Sequence, residues 1–268
     1  MQNFNGKVVW ITGASSGYGE AVAKACAKAG AKLVLSARRT EKLNQLAKNL
    51  GNAVVVPLDL AQFDTFEQRV KEAIAAFGHI DIMMHNGAIA QNAKVMDTTL
   101  AVERHIMDVD YFSYTELNRL VLPHMQARKS GQIVVTSGLL AHLALPGRSS
   151  YAAAKAALIA YFDCLRVELM GQGIDVTILI PGAMQTALAA KAVQADGEPD
   201  ATKADHVSPA GVSLEEAARQ TLTLIAEKRM QAYVGLEDDS FRLWQLTRSD
   251  PDRGIQMMLE RLKSAAKA

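Results

Sequence analysis

Short apolar runs alternate along this chain with longer stretches in which apolar side chains recur at helical spacing. The runs predict strands at residues 7–12, 32–36, 53–57, 80–85, 132–137, 175–180 and 231–234. The helical stretches fall between them, at 17–29, 41–50, 63–77, 100–128, 150–170 and 214–228. Runs such as VVWIT and IVVTS are apolar at nearly every position, the pattern of a strand covered on both faces. Regular β/α alternation over this length predicts a single Rossmann-like domain, a doubly wound α/β fold with a seven-stranded parallel sheet and right-handed crossovers. Two stretches break the rhythm. Residues 186–213 are long, polar and rich in Asp, Lys and Pro, which suits a lid. Residues 236–268 read as a helical extension with Trp244, Ile255, Met258, Leu259 and Leu262 on its apolar side. The division expected is a catalytic unit over 1–235, lid included, followed by a C-terminal helical extension over 236–268.

Composition narrows the function classes. With 49% hydrophobic and 21% charged residues, the 268-residue chain can bury an ordinary globular core. A net charge of +1 gives no attraction to nucleic acid or to an anionic membrane, so neither is expected as partner. The opening residues run almost directly into a strand, and no apolar run of about 18 residues occurs, which reads as a soluble cytoplasmic protein. Cys26 and Cys164 lie in separate helical stretches and are expected to be buried, reduced thiols. The six histidines show no metal-ligand spacing, so no metal is expected.

Candidate chemistry begins after the first strand, at Thr12-Gly13-Ala14-Ser15-Ser16-Gly17-Tyr18-Gly19. Glycines there permit a tight turn, and the helix that follows offers unpaired N–H groups to a pyrophosphate. The second strand ends in Arg38-Arg39 with no acidic residue nearby. An acid at that point suits a ribose 2′-hydroxyl, whereas arginines suit a 2′-phosphate, so NADP(H) is favoured over NAD(H). Further on, Tyr151 and Lys155 stand four residues apart in SSYAAAKAAL, on one face of a helix. Alone, the pair reads as two solvated residues on an alanine-rich helix. Held together, the ammonium draws the phenol pKa down from about 10 towards a range useful for proton transfer.

The glycine loop, Tyr151-x-x-x-Lys155, and Pro181-Gly182 after the sixth strand together resemble the short-chain dehydrogenase/reductase family, over roughly residues 5–235. That resemblance implies hydride exchange between a nicotinamide and a carbonyl or alcohol carbon, Tyr151 giving or taking the proton and Lys155 assisting it. It also implies that Asp59 and Leu60 lie at the adenine, that Asn86 and Gly87 line the cofactor, and that Pro181, Gly182, Met184 and Thr186 hold the nicotinamide end. Two positions depart from the pattern. The serine expected thirteen residues before the tyrosine is Gly138, and the expected asparagine is Asp110. Ser137 reaches the site only if a bulge turns it inward. His142 and Tyr111 are the other candidate donors. Asp110 is expected to hold the relay water and to cancel part of the pull of Lys155 on Tyr151.

Leu139, Leu140, Leu143, Leu145 and Met184 around the expected pocket favour a hydrophobic ketone or secondary alcohol. Leu117, Leu120, Phe162 and Leu165 fit either a homodimer or homotetramer contact or an intramolecular core. The leading reading is therefore an NADP(H)-dependent oxidoreductase. The alternative is a catalytically impaired relative that binds NADP(H) as sensor or structural ligand; a redox-neutral relative is disfavoured, since the glycine loop, Arg38 and Lys155 remain suited to the cofactor.

Overall fold

The computed structural model describes residues 4–199, 202 and 207–265. Seven parallel strands form one sheet: β1 (Val8–Thr12), β2 (Lys32–Ser36), β3 (Ala53–Val55), β4 (Ile82–His85), β5 (Gly131–Thr136), β6 (Ile174–Pro181) and β7 (Gln231–Val234). Their order across the sheet is β3-β2-β1-β4-β5-β6-β7. The direction of winding reverses between β1 and β4, which opens a crevice beyond the C-terminal ends of those strands.

Side-chain alternation along each strand feeds two separate cores. Val8 and Trp10 of β1 join Met83, Ile133 and Val135 on one face. Val9 and Ile11 join Leu33, Met84 and Val134 on the other. The first face is covered by α3 (Phe66–Phe77), α5 (Ser113–Arg128) and α6 (Ser149–Glu168), through Phe66, Leu117, Val121, Leu158 and Phe162. The second is covered by α1 (Gly17–Lys28), α2 (Thr40–Leu50) and α7 (Leu214–Ala226), through Val22, Leu43 and Leu222. Buried on both faces, the central strands β1, β4 and β5 have no solvent-facing side, which is why their sequences read as largely apolar runs.

The structure refines several expectations. The helix expected over 100–128 is α4 (Leu100–Met107) and α5 joined by a π-helical turn, Asp108–Phe112. The extra residue in that turn rotates Asp110 into the interior, where it is fully buried. Cys26 is buried as expected, and burial pushes its thiol up to about 12. Cys164, expected buried, is exposed, because α6 turns that position outward. Leu117, Phe162 and Leu165 belong to the intramolecular core.

Beyond β7 the chain forms α8 (Asp239–Ser249) and α9 (Pro251–Ala265). Leu243 and Met258 of this hairpin pack on Leu143, while Ile255 and Leu259, expected on the apolar side, point outward. Of the expected lid, residues 200–201 and 203–206 lie outside the described residues, as do 266–268 of the extension. No helix among the described residues is long and apolar enough to cross a membrane.

Candidate active site

The crevice is stapled by two polar side chains. Thr12 Oγ1, at the end of β1, accepts the N–H groups of Asn86 (2.9 Å) and Gly87 (3.1 Å). Asn86 Nδ2 donates to the Thr12 carbonyl at 3.1 Å, and its Oδ1 accepts from Thr136 Oγ1 at 3.4 Å. One asparagine thus ties the ends of β1, β4 and β5 together. The glycine loop is pressed against this staple: a Cβ on Gly13 would lie 2.6 Å from Gly87 Cα, and Gly13 has φ +68°. No side chain caps α1, whose N-cap is Ser16. The first-turn N–H groups of α1 are therefore left to an incoming anion. Space beyond Gly17 is open, bounded by the Thr186 methyl 3.9 Å from where a Cβ would stand.

The predicted cofactor residues are brought together unevenly. Arg39 donates from Nε and Nη2 to Ser15 Oγ (3.1 and 2.9 Å) and also bonds Ser16 Oγ, which places a guanidinium on the rim of the loop. Arg38 beside it is exposed. Gly13, Gly17, Gly19, Asn86, Gly87 and Thr186 meet around the crevice. Leu60 is buried against Gly87, and the Asp59 carboxylate accepts the N–H of Ala61 at 3.1 Å. The Tyr18 side chain is turned away from the crevice: its hydroxyl bonds Thr221 of α7 in the interior, and burial holds the phenol far above its usual pKa. Pro181 ends β6, and Gly182 lies under the Tyr233 hydroxyl. Met184 pairs with Val212.

Tyr151 and Lys155 project from the first two turns of α6. Lys155 is 1% exposed, with Nζ 3.3 Å from Asp110 Oδ2 and 3.4 Å from the Thr136 carbonyl. The same ammonium lies 5.4 Å from the ring centre of Tyr151 and 5.6 Å from that of Tyr114. The other Asp110 oxygen accepts the N–H of Ile89 at 2.9 Å. Burial drives the Asp110 carboxyl above its usual range, against the pull of Lys155 and of that N–H. Tyr151 does not follow the expectation of a lowered pKa. Burial first, and the Asp110 charge second, hold the phenol above its ordinary value, with Arg148 acting in the opposite sense.

The residues proposed to stand in for the missing serine are each engaged in contacts of their own. Ser137 Oγ donates to the Lys155 carbonyl at 2.8 Å, so its hydroxyl faces the α6 backbone and no bulge turns it inward. The His142 ring packs edge-on to Trp244, and Tyr111 packs edge-on to Phe112 and Tyr161. Leu143 is buried under α8 and α9, with Leu139 and Leu140 against it, so these three line the hairpin contact. A Cβ on Gly138 would stand 3.7 Å from the Tyr151 hydroxyl. Tyr114 escaped the sequence reading, although its spacing four residues after Asp110 put both on one helical face. Its hydroxyl donates to the Gly87 carbonyl at 2.8 Å, and its ring floors the Lys155 ammonium.

Comparison with known proteins places this geometry. A sequence profile described as short chain dehydrogenase matches residues 7–197. A dehydrogenase/reductase SDR family protein 7-like from Anopheles gambiae is 38% identical over 84% of this chain and 74% of its own. Dehydrogenase/reductase SDR family member 7B of Mus musculus is 36% identical over 83% and 71%. A short-chain dehydrogenase from Streptomyces avermitilis superposes with TM-score 0.80 at 28% identity, covering 97% of both chains. An SDR from Burkholderia phymatum, solved in complex with NAD, has TM-score 0.81 at 21% identity, covering 94% of this chain and 96% of its own. Fold and crevice define a Rossmann-like, doubly wound α/β protein. Within that class, the chain belongs to the short-chain dehydrogenase/reductase family of oxidoreductases.

Proposed function

We propose that this protein is an NADP(H)-dependent oxidoreductase interconverting a ketone or aldehyde and an alcohol on a hydrophobic small molecule. The observation that carries the reading is the meeting of Tyr151 and Lys155, with Nζ 5.4 Å from the phenol ring, beside the Asn86–Gly87 turn that abuts the glycine loop. The cofactor fits this chain. The uncapped start of α1 and the open space past Gly17 suit a pyrophosphate, while Arg39, already fixed to Ser15 and Ser16, suits a 2′-phosphate. Arg38 is the second cation at that rim. Asp59 and Leu60 serve the adenine side; Pro181, Gly182, Met184 and Thr186 serve the nicotinamide side. Among relatives of the fold, an alcohol dehydrogenase from Thermococcus sibiricus was solved with 5-hydroxy-NADP and the Burkholderia protein with NAD.

When bound, a reduced nicotinamide supplies hydride to a carbonyl carbon. Tyr151 Oη then gives its proton to the carbonyl oxygen, and the resulting phenolate is stabilised by the Lys155 ammonium before a solvent proton restores it. In the reverse direction the phenolate takes the alcohol proton. The described part of 186–213 acts as the lid. Exposed Phe112, Val167 and Met170 on the α5–α6 side support a homodimer or homotetramer.

A second reading is kept for two observations: Gly138 supplies no hydroxyl, and Asp110 offsets the charge of Lys155. It makes the protein an impaired relative that holds NADP(H) without turnover. Both readings expect a thermal shift with NADPH that exceeds the shift with NADH. Only the enzyme consumes NADPH with a panel of aromatic and aliphatic ketones, and that consumption disappears in Tyr151→Phe while the thermal shift stays. Absence of any shift with either nucleotide overturns both.

A further inference from the structure

The helix that carries Tyr151 begins without a cap of its own. Its N-cap residue is Arg148, whose side chain makes no capping bond. The capping role, an oxygen that accepts the second and third N–H groups of a helix, is filled from elsewhere in the chain. Gln91 lies in the loop after β4 and is fully buried. Its Oε1 accepts the Ser150 N–H at 2.8 Å and the Tyr151 N–H at 3.4 Å, across sequence separations of 59 and 60. Its Nε2 donates to Thr98 Oγ1 at 3.0 Å and to the Ala93 carbonyl at 3.3 Å, which fixes the amide so that its oxygen faces α6.

The backbone on either side of the same residue holds a second segment. Gln91 pairs with Val193 as a parallel bridge. Val193 N–H donates to the Ala90 carbonyl at 2.8 Å, and Asn92 N–H donates to the Val193 carbonyl at 2.8 Å. The Val193 side chain is buried in one cluster with Val102, Ile106 and Ala154, the last being the residue just before Lys155. The segment after β6 is thereby docked on the loop that caps the catalytic helix.

We propose that Gln91 is a positioning residue: its amide sets the first turn of α6, the backbone of its neighbours Ala90 and Asn92 seats Val193, and docking of the 186–199 segment is thereby coupled to placement of the Tyr151 hydroxyl. This rests on the reading of Tyr151 as proton donor, but the coupling itself is a statement about α6 and stands apart from the chemistry. The chain gains by it a site in which covering the substrate and aligning the phenol are one event.

The test compares Gln91→Leu, which removes the acceptor, with Gln91→Glu, which keeps an acceptor oxygen and loses the amide donor. Amide hydrogen exchange at Ser150 and Tyr151 is expected to quicken about five- to tenfold in Gln91→Leu, the scale of an ordinary lost cap, and to stay near native in Gln91→Glu. Val193→Ala is expected to quicken the same amides in the native background but to add nothing in the Gln91→Leu background. With NADPH and the ketone of the panel consumed fastest, kcat is expected to fall about tenfold or more in Gln91→Leu while the KM for NADPH stays within about twofold, with Gln91→Glu recovering most of the rate. Unchanged exchange at 150 and 151 in Gln91→Leu overturns the cap. Additive effects of Val193→Ala overturn the coupling. If Gln91→Leu does not fold, native-like exchange and rate in Gln91→Glu support the proposal, and a loss equal to that of Thr98→Val overturns it. Retention of activity by Tyr151→Phe would overturn the proton-donor reading alone, since the exchange arms decide the coupling without it.

Discussion

Asp110 and Lys155 face each other at 3.3 Å with 0% and 1% of their side chains exposed, and Tyr151 titrates in the field of that pair. Burial holds the phenol up, the Asp110 carboxylate adds to it, and the Arg148 guanidinium opposes them. Tyr151 therefore rests in its acid form at neutral pH, which suits carbonyl reduction better than alcohol oxidation. Asp110→Asn removes the negative charge and leaves the ammonium. The sign follows: a lost negative neighbour lowers the phenol pKa, so the lower limb of the pH profile for alcohol oxidation moves towards acid, by about one unit. An unmoved limb would sink this account of Asp110. The same change leaves a buried cation without its partner. Removal of one member of a buried pair costs about 3–5 kcal/mol, and urea unfolding of Asp110→Asn is expected to register a loss approaching that range.

At the scale of elements, legibility followed the physics that made each pattern. The central strands were plain because both faces of β1, β4 and β5 are buried, so their apolar runs are broken by few polar residues. β3 came out shorter than the apolar run that announced it, since it is an edge strand paired with β2 alone. The π-helical turn at Asp108–Phe112 was invisible, because one extra residue shifts the phase of a helix without altering its composition. The glycine loop and Tyr151–Lys155 were legible from spacing. Gln91 left no signal, since its cap is made across 59 residues of sequence.

The end of β5 was half legible. Strand alternation said that Ser137 could not serve, and its hydroxyl indeed bonds the Lys155 carbonyl. What could not be read was that Gly138 keeps room for the absent group. Its backbone is extended (φ 172°), which any residue adopts, and a Cβ there meets only the Tyr151 hydroxyl, at an ordinary 3.7 Å. Gly138→Ser is therefore expected to fold normally and to place a second hydroxyl beside the first. Loss of one oxyanion donor costs about 10²–10³ in rate elsewhere, so kcat for ketone reduction is expected to rise at least about tenfold. A rate unchanged or lowered would mean that the substrate oxygen already has its second donor.

Across the whole molecule, the nucleotide crevice and the substrate side are held by different parts of the chain. The glycine loop is fixed by Thr12, Asn86 and the packing of α1, all far from the C-terminus in sequence. The loop after β5 is instead held by the α8–α9 hairpin. Trp244 of α8 is 7% exposed and stacks among His142, Tyr233 and Phe241, while Leu243 and Met258 close over Leu143. Tyr233 carries the contact further, since its hydroxyl occupies the place a Cβ of Gly182 would take. One tryptophan thus braces both the residues following Gly138 and the turn following Pro181. Trp244→Ala empties that junction, and a loss of about 3–5 kcal/mol in stability is expected for an aromatic so enclosed. Its functional cost is expected to be lopsided: kcat/KM for the ketone falls about tenfold or more, while the Kd for NADPH changes less, because the hairpin braces only the nicotinamide-side turn after Pro181 and the glycine loop is anchored by Thr12 and Asn86. Isothermal titration with NADPH beside steady-state kinetics separates the two. An equal loss in both would mean that the hairpin braces the nucleotide crevice as well, and that the molecule does not divide its labour in this way.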